Sequence, residues 1–400
     1  MDPNYPDEKL PGISLLTQAD VDAIAECTVF NGGIKIDPNF VGDAVLPSLE
    51  IVYGELKATL DGFGLGNLTG FLAPKLHTLN TTRNTQSLTI NPSLVSFIRI
   101  AGISSLRTIW LPNLHNIIGS AVLIENLPAL TNLSDFYFPQ ESFTQQTSIS
   151  VRGTNISSLM VFDTRRLINF NIVVLDNENL DNLTLSIQNA TDIIISGKRI
   201  TIELGDPYFW TNPFNVTGAT HVKGNLNVSG CQEYNSFGLA SVMGDFFLHD
   251  TELKQVDVRI PTNGSLHLSS NSHLKLATFA FSTTLSYDLD EYSIGGDVVI
   301  SDCPLLSNIS LSDADIGLQT DKPILEGAPP MKLISVKILG IGGSVNISNC
   351  SSLSRISFRN LETIGGDFNI THNPQLKDIS DFSRLQTISG KVNLQGDLSA

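Results

Sequence analysis

The feature that most restricts this chain is a recurring phrase: glycine, any residue, apolar, any, apolar, Ser/Thr or similar, any, then Asn or Cys. It runs through Gly224 to Cys231, Gly264 to Asn271, Gly296 to Cys303, Gly343 to Cys350 and Gly366 to Asn373. Looser copies begin at Gly119, Gly244 and Gly390. From Gly224 onward the glycines lie 20, 20, 32, 47, 23 and 24 residues apart. Such spacing predicts a unit of about 23 residues. It also predicts an insertion after Gly264 and a degenerate or looped-out turn around Gly317 to Lys337. In the best-kept copy Phe368 and Ile370 alternate with polar residues, which puts both on one face of a short strand. Asn373 and Pro374 then turn the chain, since Asn tolerates left-handed backbone. Leu376 and Ile379 return to the core on a second strand. Stacked units of this kind make a mainly β fold, a parallel β-solenoid in which each turn pairs only with its neighbours.

Other segments frame that array. Thr17 with Asp20 resembles a capping box and Leu16 with Val21 a hydrophobic staple, so residues 17–27 predict a short helix lidding the first turn. The last copy, from Gly390, stops mid-unit, and an uncapped sheet edge invites association. A natural protein continuing past residue 400 is therefore expected. The divisions expected are an N-terminal remnant at 1–14 and solenoid halves at 15–198 and 199–400.

Composition excludes several classes. With 41% hydrophobic and 16% charged residues, a continuous core is within reach. A net charge of −16 argues against nucleic acid and against an anionic membrane surface. No run approaches the roughly 18 apolar residues of a membrane span. Residues 1–16 are polar and contain Pro3, Pro6 and Pro11, unlike a signal peptide, and the C-terminus lacks a lipid-anchor signal.

The sequons point the other way. Thirteen Asn-x-Ser/Thr acceptors occur, at Asn67, Asn80, Asn132, Asn155, Asn182, Asn189, Asn215, Asn227, Asn263, Asn308, Asn346, Asn349 and Asn369, where chance gives roughly five. Nine have Leu, Ile or Val in the middle, which in a strand turns the apolar residue inward and both polar ones outward. Polar ladders on a solenoid would generate the same strings without glycans. Asn346 and Asn369 share one register, so adjacent turns would crowd two sugars there. Glycosylation needs a secretory route, and a chain missing both targeting ends reconciles the two signals.

The four cysteines, at 27, 231, 303 and 350, lack zinc-site spacing. Cys231, Cys303 and Cys350, with Asn271 and Asn373, occupy the phrase's last position. There Asn or Cys can donate to main-chain carbonyls, forming a buried ladder. A Cys303–Cys350 disulfide is the alternative. It requires the two to be one turn apart, whereas their separation of 47 residues is nearer two turns unless the intervening stretch loops out.

Catalysis finds no anchor. Hydrolases on β-helices resemble one another in carrying Asn-Thr-Asp, Asp-Asp, Gly-His-Gly and Arg-Ile-Lys on successive turns, and none of these strings is present. Asp288, Asp290 and Glu291 read as a solvated loop. The histidines at 77, 115, 221, 249, 267, 273 and 372 are dispersed, with no paired ligand. No catalytic, cofactor or metal residue is expected. The aromatic segment Pro207 to Phe214 reads either as a plug between solenoid halves or as an exposed carbohydrate or protein contact.

Taken together, several strings resemble the fungal cell-wall organisation glycoproteins of the sporulation-specific and "extracellular mutant" type. They are Leu16 to Cys27 followed by Gly33 to Ile36, Leu111 to Gly119, Leu127 to Ser134, Ile149 to Leu159, and Ile364 to Phe368 with Asn373 to Leu376. The resemblance implies a right-handed parallel β-solenoid of leucine-rich-repeat or receptor L-domain type, with a capping helix. It implies a secreted, non-enzymatic wall glycoprotein held to the membrane only through a glycosylphosphatidylinositol anchor that this chain lacks. Wall polysaccharide or wall proteins would be its partners. A ligand-binding L-domain ectodomain is the alternative, with a polysaccharide-active β-helix behind it.

Overall fold

The computed structural model describes residues 12–37, 39–59, 67–80, 98–114, 116–118, 121–138, 147–163, 170–187, 189–197, 201–204, 220–231, 233–235, 239–259, 264–280, 291–311, 314–315 and 335–396. The chain divides into two compact units, residues 1–220 with 230–238, and residues 221–229 with 239–400. Each is a parallel β-solenoid.

In the second unit the recurring phrase builds a spine. Leu226–Ser229, Phe246–His249, Leu266–Ser269, Val298–Ser301, Val345–Ser348, Phe368–Thr371 and Val392–Leu394 stack in this order, parallel and in register. From Leu226 to Thr371 each four-residue strand alternates buried with half-buried positions. The inward pairs, from Leu226 and Val228 to Phe368 and Ile370, are at most 3% exposed. This unit has two further parallel sheets. One contains Gln255–Arg259, Leu276–Ala280, Asn308–Leu311 and Arg355–Ser357. The other contains Glu291–Ile294, Ser335–Ile341, Thr363–Ile364 and Thr387–Ile388.

The first unit repeats the plan with less regular sequence. Its spine runs Ile13–Leu15, Ile34–Ile36, Leu56–Thr59, Ile98–Ala101, Ala121–Leu127, Thr147–Thr154, Phe170–Leu175 and Asn189–Ser196, every pairing parallel. Ile, Leu and Val fill the inward positions, and their branched side chains suit a pleated, half-buried surface.

The repeated glycine has a steric cause. Gly366 donates its N–H to the Gly343 carbonyl at 2.8 Å, and Gly390 donates to Gly366 at 3.0 Å. A Cβ on Gly366 would stand 2.8 Å from the Ser344 nitrogen and 2.9 Å from the Gly343 carbonyl carbon, and nearer still to the Ser344 hydroxyl. Turns meet here backbone to backbone, so no side chain fits between them.

At the N-terminal end, α1 (Gln18–Ile24) buries Val21 and Ile24 and packs on Ile13–Leu15 and Val41–Val45. It therefore covers the first spine strand, as a cap does. The Asp20 carboxylate accepts from the backbone N–H groups of Leu16 at 3.0 Å and Thr17 at 2.8 Å, and from the Thr17 hydroxyl at 3.0 Å. These bonds hold its pKa below the ordinary value of 3.8. The expected staple fails: Leu16 is 54% exposed, and Leu15, on the inward phase of its strand, is the buried leucine.

Two outcomes follow from this packing. Gly366→Ala is expected to destabilise the second unit by about 1–3 kcal/mol in denaturant melts, because two backbones must part to admit one methyl. Asp20→Asn should lower the thermal midpoint at neutral pH. Since the folded carboxyl is depressed, its contribution is present above the unfolded pKa and vanishes as pH falls through the folded one. The wild-type advantage should therefore disappear in strong acid.

Candidate functional site

Three sets of side chains repeat from turn to turn, and each occupies one fixed place relative to the spine strand. The first lies at the strand's C-terminal end. Asn126, Asp176, Asp250, Ser270, Asp302, Asn349 and His372 all have φ between 54° and 57°, and Gly102, Gly153 and Gly230 share the left-handed region. Each directly precedes one member of a buried column: Ile103, Leu127, Thr154, Asn177, Cys231, Thr251, Asn271, Cys303, Cys350 and Asn373. A left-handed residue reverses the chain's local curl, so the next side chain points into the core. Asn, Asp and Gly bear this conformation at least cost. The left-handed residue of the best-kept copy is thus His372, one place before the Asn373 named from sequence.

Buried amides in this column bridge neighbouring turns. Asn271 Nδ2 donates to the Leu248 carbonyl at 3.0 Å, while its Oδ1 accepts from the Thr251 N–H at 3.0 Å and the Thr251 hydroxyl at 2.7 Å. Asn177 repeats this in the first unit with Val151 and Thr154. Asn373 donates to the Ile347 carbonyl at 2.9 Å and accepts from the Cys350 N–H at 3.0 Å. The cysteines instead donate along their own strands, Cys303 to Ser301 at 3.3 Å and Cys350 to Ser348 at 3.4 Å. The Cys303 and Cys350 side chains are also within hydrogen-bonding reach of each other. This proximity holds Cys350 above and Cys303 below the ordinary thiol range, with burial adding to the rise at Cys350. Burial pushes the Cys231 thiol up to about 12. Cys27 is half-buried, and all four cysteines are free thiols.

The second set lies at the strand's N-terminal end and went unread in the sequence. Asn225 Oδ1 accepts from the Asp245 N–H, Asp245 Oδ1 from Ser265, and the Ser265 hydroxyl from Asp297. Asp297 Oδ1 accepts from Ser344, the Ser344 hydroxyl from Asp367, and Asp367 Oδ1 from Lys391, at distances of 2.6 to 3.1 Å throughout. The available signal was the residue after each phrase glycine, always a short side chain with an oxygen until Lys391.

The third set is the outward face. In the sequons at Asn67, Asn155, Asn182, Asn189, Asn227, Asn308, Asn346, Asn349 and Asn369 the middle residue is buried. Asn67, Asn132, Asn182 and Asn349 are exposed. Asn346 and Asn369 face each other directly on paired strands, and Asn369 Nδ2 donates to Asn346 Oδ1 at 2.6 Å. The Asn155 oxygen accepts from Asn179, the Asn349 amide donates to Asp302 at 3.0 Å, and Asn308 Oδ1 is buried without a partner. For Asn80 and Asn189 only the backbone is described. Asn215 and Asn263 lie outside the described residues, as do Pro207 to Phe214, Asp288 and Asp290.

His249 and His267 sit on the same outward face. His249 Nε2 lies 3.1 Å from Asn227 Oδ1 and its Nδ1 lies 2.7 Å from Asp250 Oδ2. His267 stacks on Phe247 with ring centroids 4.5 Å apart. Among the described residues no group of three or more His, Cys, Asp or Glu could hold a metal ion, and no helix is long and apolar enough to cross a membrane.

No family model matches the chain. No solved structure matches it either.

The buried amides give a direct stability test. Asn271→Ala strips partners from the Thr251 N–H, the Thr251 hydroxyl and the Leu248 carbonyl, and is expected to cost about 1–3 kcal/mol in equilibrium unfolding. Ser269→Ala, on the outward row two residues earlier, should change stability by less than about 0.5 kcal/mol.

Proposed function

We propose that this chain is a non-enzymatic, N-glycosylated solenoid of the fungal cell surface that helps organise the wall. One observation supports the reading above others. In nine described sequons the middle residue is buried, and in three of these, at Asn67, Asn182 and Asn349, the asparagine itself is exposed, the arrangement an attached glycan needs. The resemblance of residues 16–27, 111–119, 127–134 and 149–159 to wall-organisation glycoproteins supplies the location. On this reading the protein acts as a scaffold at the outer face of the membrane or in the wall. Its partners are wall polysaccharide or other wall proteins, and a lipid anchor ties it to the membrane.

The reading makes two demands. In protein taken from its native source, enzymatic glycan release in heavy-oxygen water should label Asn67, Asn132, Asn182 and Asn349, the exposed acceptors. No label at any sequon would end the glycoprotein reading. Deleting the gene should raise sensitivity to dyes that bind wall glucan and chitin, and unchanged sensitivity would remove the wall role.

A further inference from the structure

Separation in turns, rather than in residues, decides what two of the thiols can do. Cys303 and Cys350 are 47 residues apart, yet the strands before them, Val298–Ser301 and Val345–Ser348, pair directly and in register. The two cysteines therefore hold the same place on consecutive turns. Adjacent strands lie about 4.8 Å apart, inside the Cα separation of roughly 4.4–6.8 Å that a disulfide spans. Both side chains are fully buried, and each sulfur is within hydrogen-bonding reach of the other.

The surroundings tolerate loss of both thiol protons. Ser301 and Ser348 supply the carbonyls that the thiols now bond, and each carbonyl has a second donor. The Ser301 oxygen accepts the Ser270 N–H at 3.1 Å, and the Ser348 oxygen accepts the Asp302 N–H at 3.2 Å. Oxidation would thus leave no buried carbonyl without a partner, so the usual objection to removing a buried donor is absent. The rest of the column keeps its amide bridges, because Asn373 holds the Cys350 backbone N–H and not its sulfur.

We propose that Cys303 and Cys350 form a redox pair that closes into a disulfide between consecutive turns and ties the chain from 304 to 349 into a covalent loop. With a small-molecule disulfide such as oxidised glutathione as oxidant, one protein thiolate attacks a glutathione sulfur and expels one glutathione thiolate, giving a mixed disulfide. The second protein thiolate attacks the protein sulfur of that mixed disulfide and expels the other. Two protein thiols lose two electrons and two protons in all, and one external disulfide becomes two thiols. Both sulfurs are buried in the finished turn, so the exchange belongs to folding. The pair depends on the stacking of two turns and not on glycosylation or on where the protein resides.

The test is thiol counting on the full chain. Protein unfolded in guanidinium with dithiothreitol is refolded either in dithiothreitol or in a mixture of reduced and oxidised glutathione, then alkylated under denaturing conditions and mapped without reduction. The reducing sample should alkylate at all four cysteines, and the oxidising sample at Cys27 and Cys231 only, with one linked peptide containing Cys303 and Cys350. The oxidised form should also melt higher than the reduced form. In the double variant Cys303→Ser/Cys350→Ser, which keeps a donor at each site, that difference should vanish. Four alkylated cysteines after oxidising refolding, or a link joining any other pair, would overturn the proposal.

Discussion

The left-handed residue at the finish of most spine strands in the second unit, and of half of those in the first, is the constraint on which the rest depends. A parallel strand left to itself would carry its alternation onward, and the side chain after it would fall wherever the next turn happened to lead. One residue with φ near 55° breaks that alternation and throws its successor into the core. Because the break recurs at the same place on most turns, the successors form a column within each unit. A column spaced at the strand repeat is what lets one amide bond the turn before it. The inward apolar pairs supply the burial energy, but they would be equally satisfied after a slip of two residues. Hydrogen-bonded columns at both ends of the strand remove that freedom.

Fixing both ends also explains why the repeat can be so irregular in length. The glycine contact and the Asp/Ser column hold the strand's start, and the left-handed residue with the buried Asn/Cys column holds its finish. What lies between one finish and the next start is free to vary. Loop closure becomes costlier only slowly with length, so a turn of 47 residues stacks on its neighbour as one of 20 does. Counting residues therefore overestimates the number of turns, which is why Cys303 and Cys350 looked two turns apart in the sequence and stand on adjacent ones.

Much of the second unit was legible because its phrase carries three signals at once: a glycine no other residue can replace, two alternating apolar residues and a short polar terminator. The first unit has the same architecture, but its turns seldom carry all three signals together, and a four-residue alternation is too brief to locate on its own. Legibility also failed wherever the informative contact was with another turn. Asp245, Asp297 and Asp367 went unread, since nothing local reveals that each holds a backbone N–H some 20 to 47 residues later. The helix at 18–24 was readable from Thr17 and Asp20, but which leucine it covers depends on the phase of the strand before it. Likewise, the shared register of Asn346 and Asn369 could be read from the sequence, while the direct pairing of their strands required the structure.

The column at the start of the strands has a charge pattern with evolutionary weight. Asp245, Asp297 and Asp367 are never on consecutive turns, because Ser265 and Ser344 stand between them. Two carboxylates directly opposite on paired strands would repel at close quarters. Duplicating any single Asp-bearing turn in tandem would create that collision, whereas duplicating an Asp turn together with its Ser neighbour would not. The spine of this unit can therefore lengthen in pairs of turns more easily than one turn at a time.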